Sequence, residues 1–475
     1  MSTTRRRLLQ GGAALGVAAA IPVGQHVAWS NRDFTREGYS PDYPLPPEGE
    51  ESWMNWSGIQ RATPRVIAAP ETEDALVDLI SSTQSPLRPK GSGHSFTGLV
   101  PSEDTIIDLA NFSGLKGINP ANGLARFGAG TVLFQAAGAL DDHQRAFPNL
   151  PDIADQTLAG SCSTATHGTG ARLPAMHAQI EAFRMVTAAG EVLEVSAASD
   201  ADLFAAGQVS LGALGIITEY TLATVPAYNL HRLVTAEPVG QLLDTAEARA
   251  NENRNFEAYY LPGTGVAATI THNIHSGEVS GRTPSEDDEL LLGLKDLRDS
   301  FGWWPWLRRK VAGAALPDGK VEDVSDASWR LLTTTRPIRF NEMEYHLPRH
   351  EGIAALRKVI AMMDRRKDVF FPMEIRFTAP DDAWLSPFND GPRISVAIHA
   401  AVDEPYEYFF SEFEPVFRAH GGRPHWGKLH SLGHAEVTGL YPDFERFCEL
   451  RRMLDPDGRL LNPHLAKLFG EADRA

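Results

Sequence analysis

Four side chains of different chemistry stand at positions from which they can act together. The strand-like run of residues 371–377 places Glu374 and Arg376 on one face, because side chains alternate between the two sides of a strand. His399 ends a second run of the same kind, and Lys428 follows in a third segment. A carboxylate, a guanidinium, an imidazole and an ammonium can together bind hydroxyl groups, accept a proton and stabilise negative charge. From spacing alone, a plain solvent-exposed strand explains Glu374 and Arg376 equally well.

Two loops rich in glycine and hydroxyl residues predict an anion-binding site. The first loop, residues 88–96, contains Lys90, Gly91, Ser92, Gly93, His94 and Ser95. The second loop, residues 157–170, contains Thr157, Gly160, Ser161, Ser163, Thr164, His167, Gly168, Thr169 and Gly170. Glycine lets backbone N–H groups approach an anion closely, and two such cradles suit a diphosphate. Either loop alone is equally well explained by a tight turn.

Neither loop matches the common nucleotide-binding motifs. Phe96 stands where the third glycine of the GxGxxG fingerprint belongs, and neither loop contains the Gly-Lys-Ser/Thr of a P-loop. A nicotinamide dinucleotide site and an ATPase are therefore disfavoured.

The elements that must position these residues indicate an α+β fold. Short β-branched runs predict strands at residues 65–70, 105–109, 182–187, 191–195 and 215–222. Residues 73–80 form an amphipathic stretch, with Thr72 as its N-cap, and predict a helix. Residues 444–454 have apolar side chains at helical spacing and predict a helix that ends at Asp455-Pro456.

Composition excludes several classes of protein. The chain has 475 residues, 61 acidic and 44 basic, and a formal net charge of −17. At roughly 100–200 residues per domain, that length predicts two or three domains. A surface this acidic repels a polyanion, so no nucleic-acid partner is expected. Cys162 and Cys448 cannot build a disulfide framework, and the sequence has no Cys/His cluster for zinc, so no metal is expected.

The first thirty residues resemble a twin-arginine export signal. Arg5, Arg6 and Arg7 precede two leucines and an Ala/Gly-rich run, with residues 18–20 as the cleavage candidate. A membrane span needs about 20 strongly apolar residues, whereas this run is short and broken by Pro22. We expect export to the periplasm or the exterior by the twin-arginine machinery, and keep an uncleaved membrane anchor as the alternative. Residues 31–52 are predicted to be a linker or surface arm.

Several motifs, taken in order, resemble one family. Besides the two glycine loops they are Trp53-Met54-Asn55-Trp56-Ser57-Gly58, His425-Trp426-Gly427-Lys428-Leu429-His430 and Leu454-Asp455-Pro456-Asp457-Gly458-Arg459-Leu460-Leu461-Asn462-Pro463. They resemble the vanillyl-alcohol-oxidase superfamily, and within it the aldonolactone and alditol oxidase group. The resemblance runs from residue 53 to 470 and is loose over 230–340.

The resemblance implies the domain organisation. Residues 53–228 would form a two-lobed FAD-binding domain of the PCMH type. Residues 229–440 would form an α+β substrate or cap domain with a central antiparallel sheet, and residues 441–475 would return to the FAD-binding domain.

The resemblance also implies roles for individual residues. In many members the histidine at the place of His94 is bonded covalently to the 8-methyl group of the flavin. The alternative is a His94 that only packs on the ring. Ile217 and Asn462 are assigned to the cofactor together with the two glycine loops, with His167 expected to hold the second loop. Four residues match positions that line the substrate side of the flavin: Glu374, Arg376, His399 and Lys428.

The expected function is FAD-dependent oxidation of an alcohol carbon in a sugar lactone or polyol. Hydride would move to flavin N5, and O2 would accept the electrons and yield H2O2. The alternatives are a dehydrogenase of the same fold that reduces a quinone or cytochrome, an oxidase for a sterol-type alcohol, and an exported binding protein without flavin.

Overall fold

The computed structural model describes residues 23–40, 51–282, 287–316, 319–334 and 338–472. The predicted export signal therefore lies outside the described residues up to position 22, as does the part of the predicted linker at 41–50. Helix α1 (Val23–Ser30) comes next, and Trp29 Nε1 donates to the carbonyl of Arg298 at 2.9 Å. Within the described ranges no helix is both long and apolar enough to cross a bilayer.

The first half of the chain builds two main sheets from short strands and helices. Its elements in order are β1 (Trp53–Met54), β2 (Arg61–Ala62), β3 (Val66–Ala68), α2 (Glu73–Ser82), β4 (Leu87–Lys90), β5 (Thr105–Asp108), β6 (Leu115–Ile118), β7 (Ala125–Gly128), α3 (Leu133–Asp141), β8 (Arg145–Ala146), α4 (Leu158–Ser163), β9 (Ile180–Val186), β10 (Val192–Ser196), α5 (Ala201–Gly207), β11 (Ile216–Leu222) and β12 (Val225–Pro226). A parallel sheet has the order β3-β5-β4, and an antiparallel sheet the order β10-β9-β11-β7-β6. The five strands predicted in this half are all present, with ends shifted by a few residues.

Helix α2 forms for the reasons that its sequence indicates. The Oγ1 atom of Thr72 accepts a hydrogen bond from the N–H of Ala75 at 3.1 Å, which caps the first turn. Leu76 and Ile80, four residues apart, are both fully buried against the parallel sheet. The helix runs to Ser82, slightly beyond the predicted end.

The second half is organised around one eight-stranded antiparallel sheet. Its elements are β13 (Asn229–Pro238), α6 (Val239–Glu252), β14 (Asn255–Leu261), β15 (Val266–His275), α7 (Asp287–Phe301), α8 (Pro305–Ala315), β16 (Gly319–Ala327), α9 (Ser328–Leu332), β17 (Phe340–Pro348), α10 (Arg349–Arg365), β18 (Met373–Thr378), β19 (Arg393–Ala401), α11 (Glu414–Ala419) and β20 (Arg423–Pro424). The strand order is β16-β13-β15-β14-β18-β19-β17-β20. Together with the sheets and helices of the first half, this sheet confirms the predicted α+β fold class.

One face of the large sheet is an apolar core. Met373, Ile375 and Phe377 of β18 are almost completely buried and share a cluster with Leu242 of α6 and Leu356 of α10. Glu374 and Arg376, which alternate with them, must therefore face the opposite side.

The last segment returns to the first half. Helices α12 (His434–Thr438), α13 (Phe444–Leu454) and α14 (Pro463–Leu468) follow β20. Helix α13 has the predicted bounds, and Phe444 and Phe447 join the core of the first half. Fully buried Arg88 fastens the return, because its guanidinium donates to the carbonyls of Leu460 and Leu99.

A buried histidine in this region predicts acid sensitivity. Burial lowers the pKa of His430 to about 3. Between this pKa and the ordinary value of 6.5, the imidazole is protonated in the unfolded chain but not in the folded chain. The free energy of unfolding is therefore unaffected by this group above pH 6.5 and falls as the pH drops below it, by roughly 1.4 kcal/mol per pH unit for one such group. His430→Gln should reduce that slope, as measured by urea unfolding from pH 7 to pH 4. Exposed His143→Gln is the control, and an unchanged slope in His430→Gln would contradict the assignment.

Candidate active site

A cavity of 1280 Å³ lies between the two glycine loops and the second face of the eight-stranded sheet. The sheet side is polar where β14, β18, β19 and β17 lie next to each other. Cross-strand pairing aligns Glu257 with Arg376 and Tyr259 with Glu374. It also aligns Glu342 with His399. The pairing of these strands thus brings residues that are far apart in the sequence to one wall, and the period-two alternation of each strand selects which of its side chains face the cavity.

Most of the predicted site residues line this cavity. From the first loop and its surroundings these are Lys90, Gly91, Ser92, Gly93, His94 and Ser95. From the second loop and β11 they are Thr157, Gly160, Ser163, Thr164, His167 and Ile217. The four chemically active side chains, Glu374, Arg376, His399 and Lys428, line it as well. Glu374 and Arg376 are only 6% and 9% exposed, so the alternative interpretation of this run as a plain solvent-exposed strand is wrong.

Five residues predicted to bind the cofactor lie outside the cavity wall: Ser161, Gly168, Thr169, Gly170 and Asn462. Each is engaged elsewhere in the fold. Ser161 donates to the Leu158 carbonyl at 3.1 Å, and a Cβ on Gly168 would come within 2.2 Å of the Leu150 carbonyl oxygen. The structure places them in supporting positions beside the cavity, and their assignment to the cofactor stays a prediction.

The remaining three of these five fasten the loops to other elements. Thr169 Oγ1 accepts from the N–H of Phe377 at 3.2 Å, and the N–H of Gly170 donates to the carbonyl of the same Phe377 at 2.6 Å. These bonds join the end of the second loop to β18. Asn462 Nδ2 donates to the Gly98 carbonyl at 2.8 Å, which holds the C-terminal segment against the chain just after the first loop.

The two glycine loops touch each other. A Cβ added to Gly91 would lie 2.1 Å from Thr157 Oγ1, so only glycine permits this approach. Gly93 has a φ of +73°, a backbone conformation that favours glycine. Among the described residues, the backbone N–H groups of Ser92 and His94 have no hydrogen-bond acceptor. The loops therefore offer N–H donors to an anionic group inside the cavity.

A methyl group at position 91 should displace the flavin that the family resemblance implies. Gly91→Ala is expected to push the loops apart, and the purified variant should carry much less flavin, measured as the ratio of absorbance at the flavin band to that of the protein. Gly138→Ala, in an open position on α3, is the matched control. Adding Thr157→Ala to Gly91→Ala should restore part of the flavin content, whereas full occupancy in Gly91→Ala alone would contradict the cradle.

His94 projects from the first loop as a neutral imidazole. Its ring stacks on Trp56 with the centroids 5.5 Å apart. Burial is the main cause that lowers the pKa of His94 to about 4; Asp155 opposes the shift and nearby Lys428 adds to it. The ring is therefore unprotonated at neutral pH and keeps a nucleophilic nitrogen.

His167 links the second loop to the large sheet. Its Nε2 lies 2.9 Å from a carboxylate oxygen of Glu344 on β17, and its Nδ1 lies 2.8 Å from the Gly168 carbonyl. Burial alone would raise the pKa of Glu344, but the histidines around it hold the pKa well below its ordinary value. The ionised carboxylate thus fixes the loop on the strand.

His399, Glu342 and Lys428 form one charged group on the cavity wall. His399 Nδ1 lies 2.8 Å from the Pro372 carbonyl, and because a carbonyl only accepts, Nδ1 carries the proton. The other ring nitrogen, Nε2, lies 3.6 Å from Glu342, whose second oxygen accepts a hydrogen bond from Lys428. Burial would raise the pKa of Glu342, but Lys428 and His399 outweigh it, and the pKa falls to about 2. His399 Nε2 is placed to receive a proton beside a carboxylate that stabilises the resulting cation.

Glu374 and Arg376 belong to a second group. Glu374 accepts hydrogen bonds from Arg376 and from the hydroxyl of Tyr259. Arg376 also lies 3.5 Å from Glu257 and 3.9 Å from Asp152. Burial and the neighbouring carboxylates raise the pKa of Glu257 to about 7, although Arg376 opposes the shift.

Sequence reasoning did not identify Glu342, Tyr259 or Glu257. A signal for the first was present, since Glu342, Glu344 and His346 alternate along β17 as Glu374 and Arg376 do along β18. Donor atoms of Glu342, Glu374 and His399 lie within 4.8 Å of one another. Lys428 and Arg376 already neutralise the two carboxylates, which disfavours a metal cation at this point.

Comparison with known proteins agrees with this geometry. Residues 220–468 match the D-arabinono-1,4-lactone oxidase family, and residues 64–196 match an FAD-binding domain family. An L-gulono-1,4-lactone dehydrogenase from Mycobacterium tuberculosis is 33% identical over 431 residues, which cover 88% of this chain and 99% of that protein. The chain belongs to the D-arabinono-1,4-lactone oxidase family. It is accordingly an FAD-dependent oxidoreductase, and the predicted resemblance and cofactor are confirmed.

More distantly similar proteins extend the comparison. An alditol oxidase from Streptomyces sp. is 27% identical over 438 residues, covering 87% of this chain and 98% of the relative. The L-gulonolactone oxidase of Bos taurus is 26% identical over 433 residues, covering 88% and 98%. A cholesterol oxidase structure from Brevibacterium sterolicum superposes with a TM-score of 0.71 at 16% identity, covering 90% of this chain and all of that one. At this identity the structural likeness shows the fold alone.

The residues present fit FAD. The family's cofactor needs a diphosphate cradle, which the touching loops and their unpaired N–H groups provide. It also needs room beside that cradle, which the continuous cavity provides.

Proposed function

We propose that this family member oxidises an alcohol carbon of a sugar lactone or an alditol. One observation carries the proposal: the glycine loops and a wall of hydroxyl-binding and proton-accepting side chains line the same cavity. The relatives are named for oxidising gulonolactone and alditols, which suits a wall of buried charges better than it suits an apolar alcohol. Bound FAD supplies the hydride acceptor.

The wall supplies the other parts of the reaction. His399 Nε2 accepts the proton of the substrate hydroxyl as hydride leaves the carbon that bears this hydroxyl. Glu342 stabilises the resulting imidazolium. Lys428 and Arg376 stabilise negative charge that develops on the substrate oxygen and on the cofactor. Glu374, held by Tyr259 and Arg376, accepts hydrogen bonds from further hydroxyl groups.

An anaerobic screen tests this function. Aldonolactones, alditols and sterols are each mixed with the purified flavoprotein without oxygen, and the bleaching of the flavin absorbance is followed. Lactones or alditols should bleach it, and bleaching by sterols alone would overturn the proposal. We further propose O2 as the acceptor, so that the admission of air should restore the colour and yield one H2O2 for each substrate oxidised.

We propose that His94 carries the cofactor covalently. Its neutral imidazole and its place on the cavity wall support this assignment. Acid precipitation of the wild type should leave yellow colour in the pellet, whereas the His94→Ala pellet should be colourless and any flavin should stay in the supernatant. The adjacent Ser92→Ala is the control, and a yellow His94→Ala pellet would remove the covalent link.

We propose export by the twin-arginine route, on the strength of the arginines and apolar run at the start of the sequence. A cut after residues 18–20 leaves helix α1 in the mature protein, where Trp29 and His26 bond to the region of α7. Fractionation of cells that express the full chain tests this route. An Arg5→Lys, Arg6→Lys, Arg7→Lys variant should stay in the cytoplasm.

A further inference from the structure

The cavity continues beyond its charged wall into an apolar bay. Across the same face of the sheet, β13 and β15 present Val234, Ala236, Val266 and Ala268, which pair in register with one another or with β14. Leu291 and Leu297 of α7 close the bay from the other side. The sheet face is thus divided, with charges over β14, β18, β19 and β17 and hydrocarbon over β13 and β15.

The residues of this bay belong to β13, β15 and α7, whereas the residues of the FAD cradle belong to the glycine loops at another part of the same cavity. The charged groups at the end of the bay form an ion pair, since Arg232 donates a hydrogen bond to Glu322 at 2.7 Å. Glu289 and Asp296 are exposed at the rim. Leu292 and Val321, also on the cavity wall, are 53% and 50% exposed, so apolar side chains reach the opening beside these two carboxylates. Replacing the water at apolar walls of this kind with hydrocarbon is favourable, because it removes apolar surface from water.

We propose that the bay binds the hydrocarbon part of an amphipathic ligand whose polar head occupies the charged wall. The inference rests on the proposed oxidation, since the polar head is taken to be the reacting group. Two sources share this chemistry. One is a sugar-derived alcohol with an alkyl or acyl substituent, which loses hydride and a proton to give the carbonyl product. The other is an isoprenoid quinone, which would replace O2 as the acceptor, take the two electrons and two protons of the reduced enzyme and become the hydroquinone.

Alkyl glucosides of growing chain length test the bay directly. Their dissociation constants for the oxidised flavoprotein are measured from the perturbation of the flavin spectrum, from methyl to octyl and below the micelle concentration. Each methylene that enters the bay should tighten binding by about threefold to fourfold, as expected from the transfer free energy of a buried CH2. A series with no chain-length dependence would overturn the proposal.

Substitutions locate the effect. Ala268→Phe fills the bay, so the ratio of the methyl to the octyl dissociation constant should fall towards one. Ile274→Phe places the same aromatic side chain on the same strand, at a position that is 61% exposed and outside the cavity, and should keep the wild-type ratio. Ala236→Phe on the neighbouring strand is the second test if Ala268→Phe does not fold. An unchanged ratio in a folded bay variant would overturn the assignment.

Separate half-reactions identify the source. If the substrate carries the tail, alkylated lactones should bleach the flavin anaerobically with a higher kcat/KM than the parent lactones. If the acceptor carries it, quinones with isoprenoid tails should reoxidise the reduced enzyme faster than tailless quinones. Absence of bleaching by every lactone and alditol would refute the proposed function, whereas bleaching without a chain-length effect in either half-reaction would refute only the bay.

Discussion

Replacing Lys428 with alanine should lower the rate constant of anaerobic flavin reduction by about 10²- to 10³-fold, the usual cost of removing one preorganised charge donor. Lys428 lies on the cavity wall and pairs with buried Glu342. Without the ammonium, Glu342 loses the main group that opposes its desolvation, and its pKa should rise from about 2. The variant then lacks the positive charge of Lys428. A Glu342 carboxylate with a raised pKa would also be less able to stabilise the protonated form of His399.

Stopped-flow measurement of a single turnover isolates this step from reoxidation. Lys428→Arg keeps the charge and should retain more of the rate, while Lys320→Ala removes an exposed lysine of β16 and should have no effect. The midpoint potential of the bound flavin should also fall in Lys428→Ala, which a purely structural role would not produce. Reduction at the wild-type rate would show that the charge has no part in the chemistry.

The alternation of side chains made much of this site predictable. Glu374, Arg376 and His399 were placed on one face of their strands by a period of two, and the structure buries that face in the cavity. Helix α13 was equally readable, since its apolar spacing and the following proline define both ends. Local sequence patterns sufficed in these cases because each depends only on neighbouring residues.

Contacts between distant segments were not predictable in the same way. Glu342 lies in the site because β17 pairs with β19, and Tyr259 because β14 pairs with β18. No local pattern specifies those pairings. The same limit explains the second glycine loop: Thr164 and Thr169 have similar chemistry, yet Thr164 lines the cavity and Thr169 bonds to β18. The bay likewise arises only when β13 and β15 lie beside each other under α7.

Arg376→Leu is expected to destabilise the protein strongly as well as inactivate it. Arg376 is buried among the carboxylates of Glu374, Glu257 and Asp152. Breaking a buried charge pair by removing one partner costs about 3–5 kcal/mol, because the remaining charge is left in a poorly solvated place. Urea unfolding of the purified flavoprotein measures this loss, and a change in the free energy of unfolding near zero would contradict the role of Arg376 as the central cation.

The pH dependence of the same variant identifies the carboxylate responsible. The folded-state pKa of Glu257 is already raised to about 7, so its contribution to stability is present below its ordinary pKa and is lost as the pH rises towards 7. Without Arg376 the pKa of Glu257 should rise further, and the loss of stability should extend to higher pH. Glu257→Gln in the Arg376→Leu background should restore stability most at pH 8 and least at pH 5, because glutamine carries no charge to desolvate. Equal restoration at both pH values would instead point to lost packing around the guanidinium, since a steric defect does not titrate.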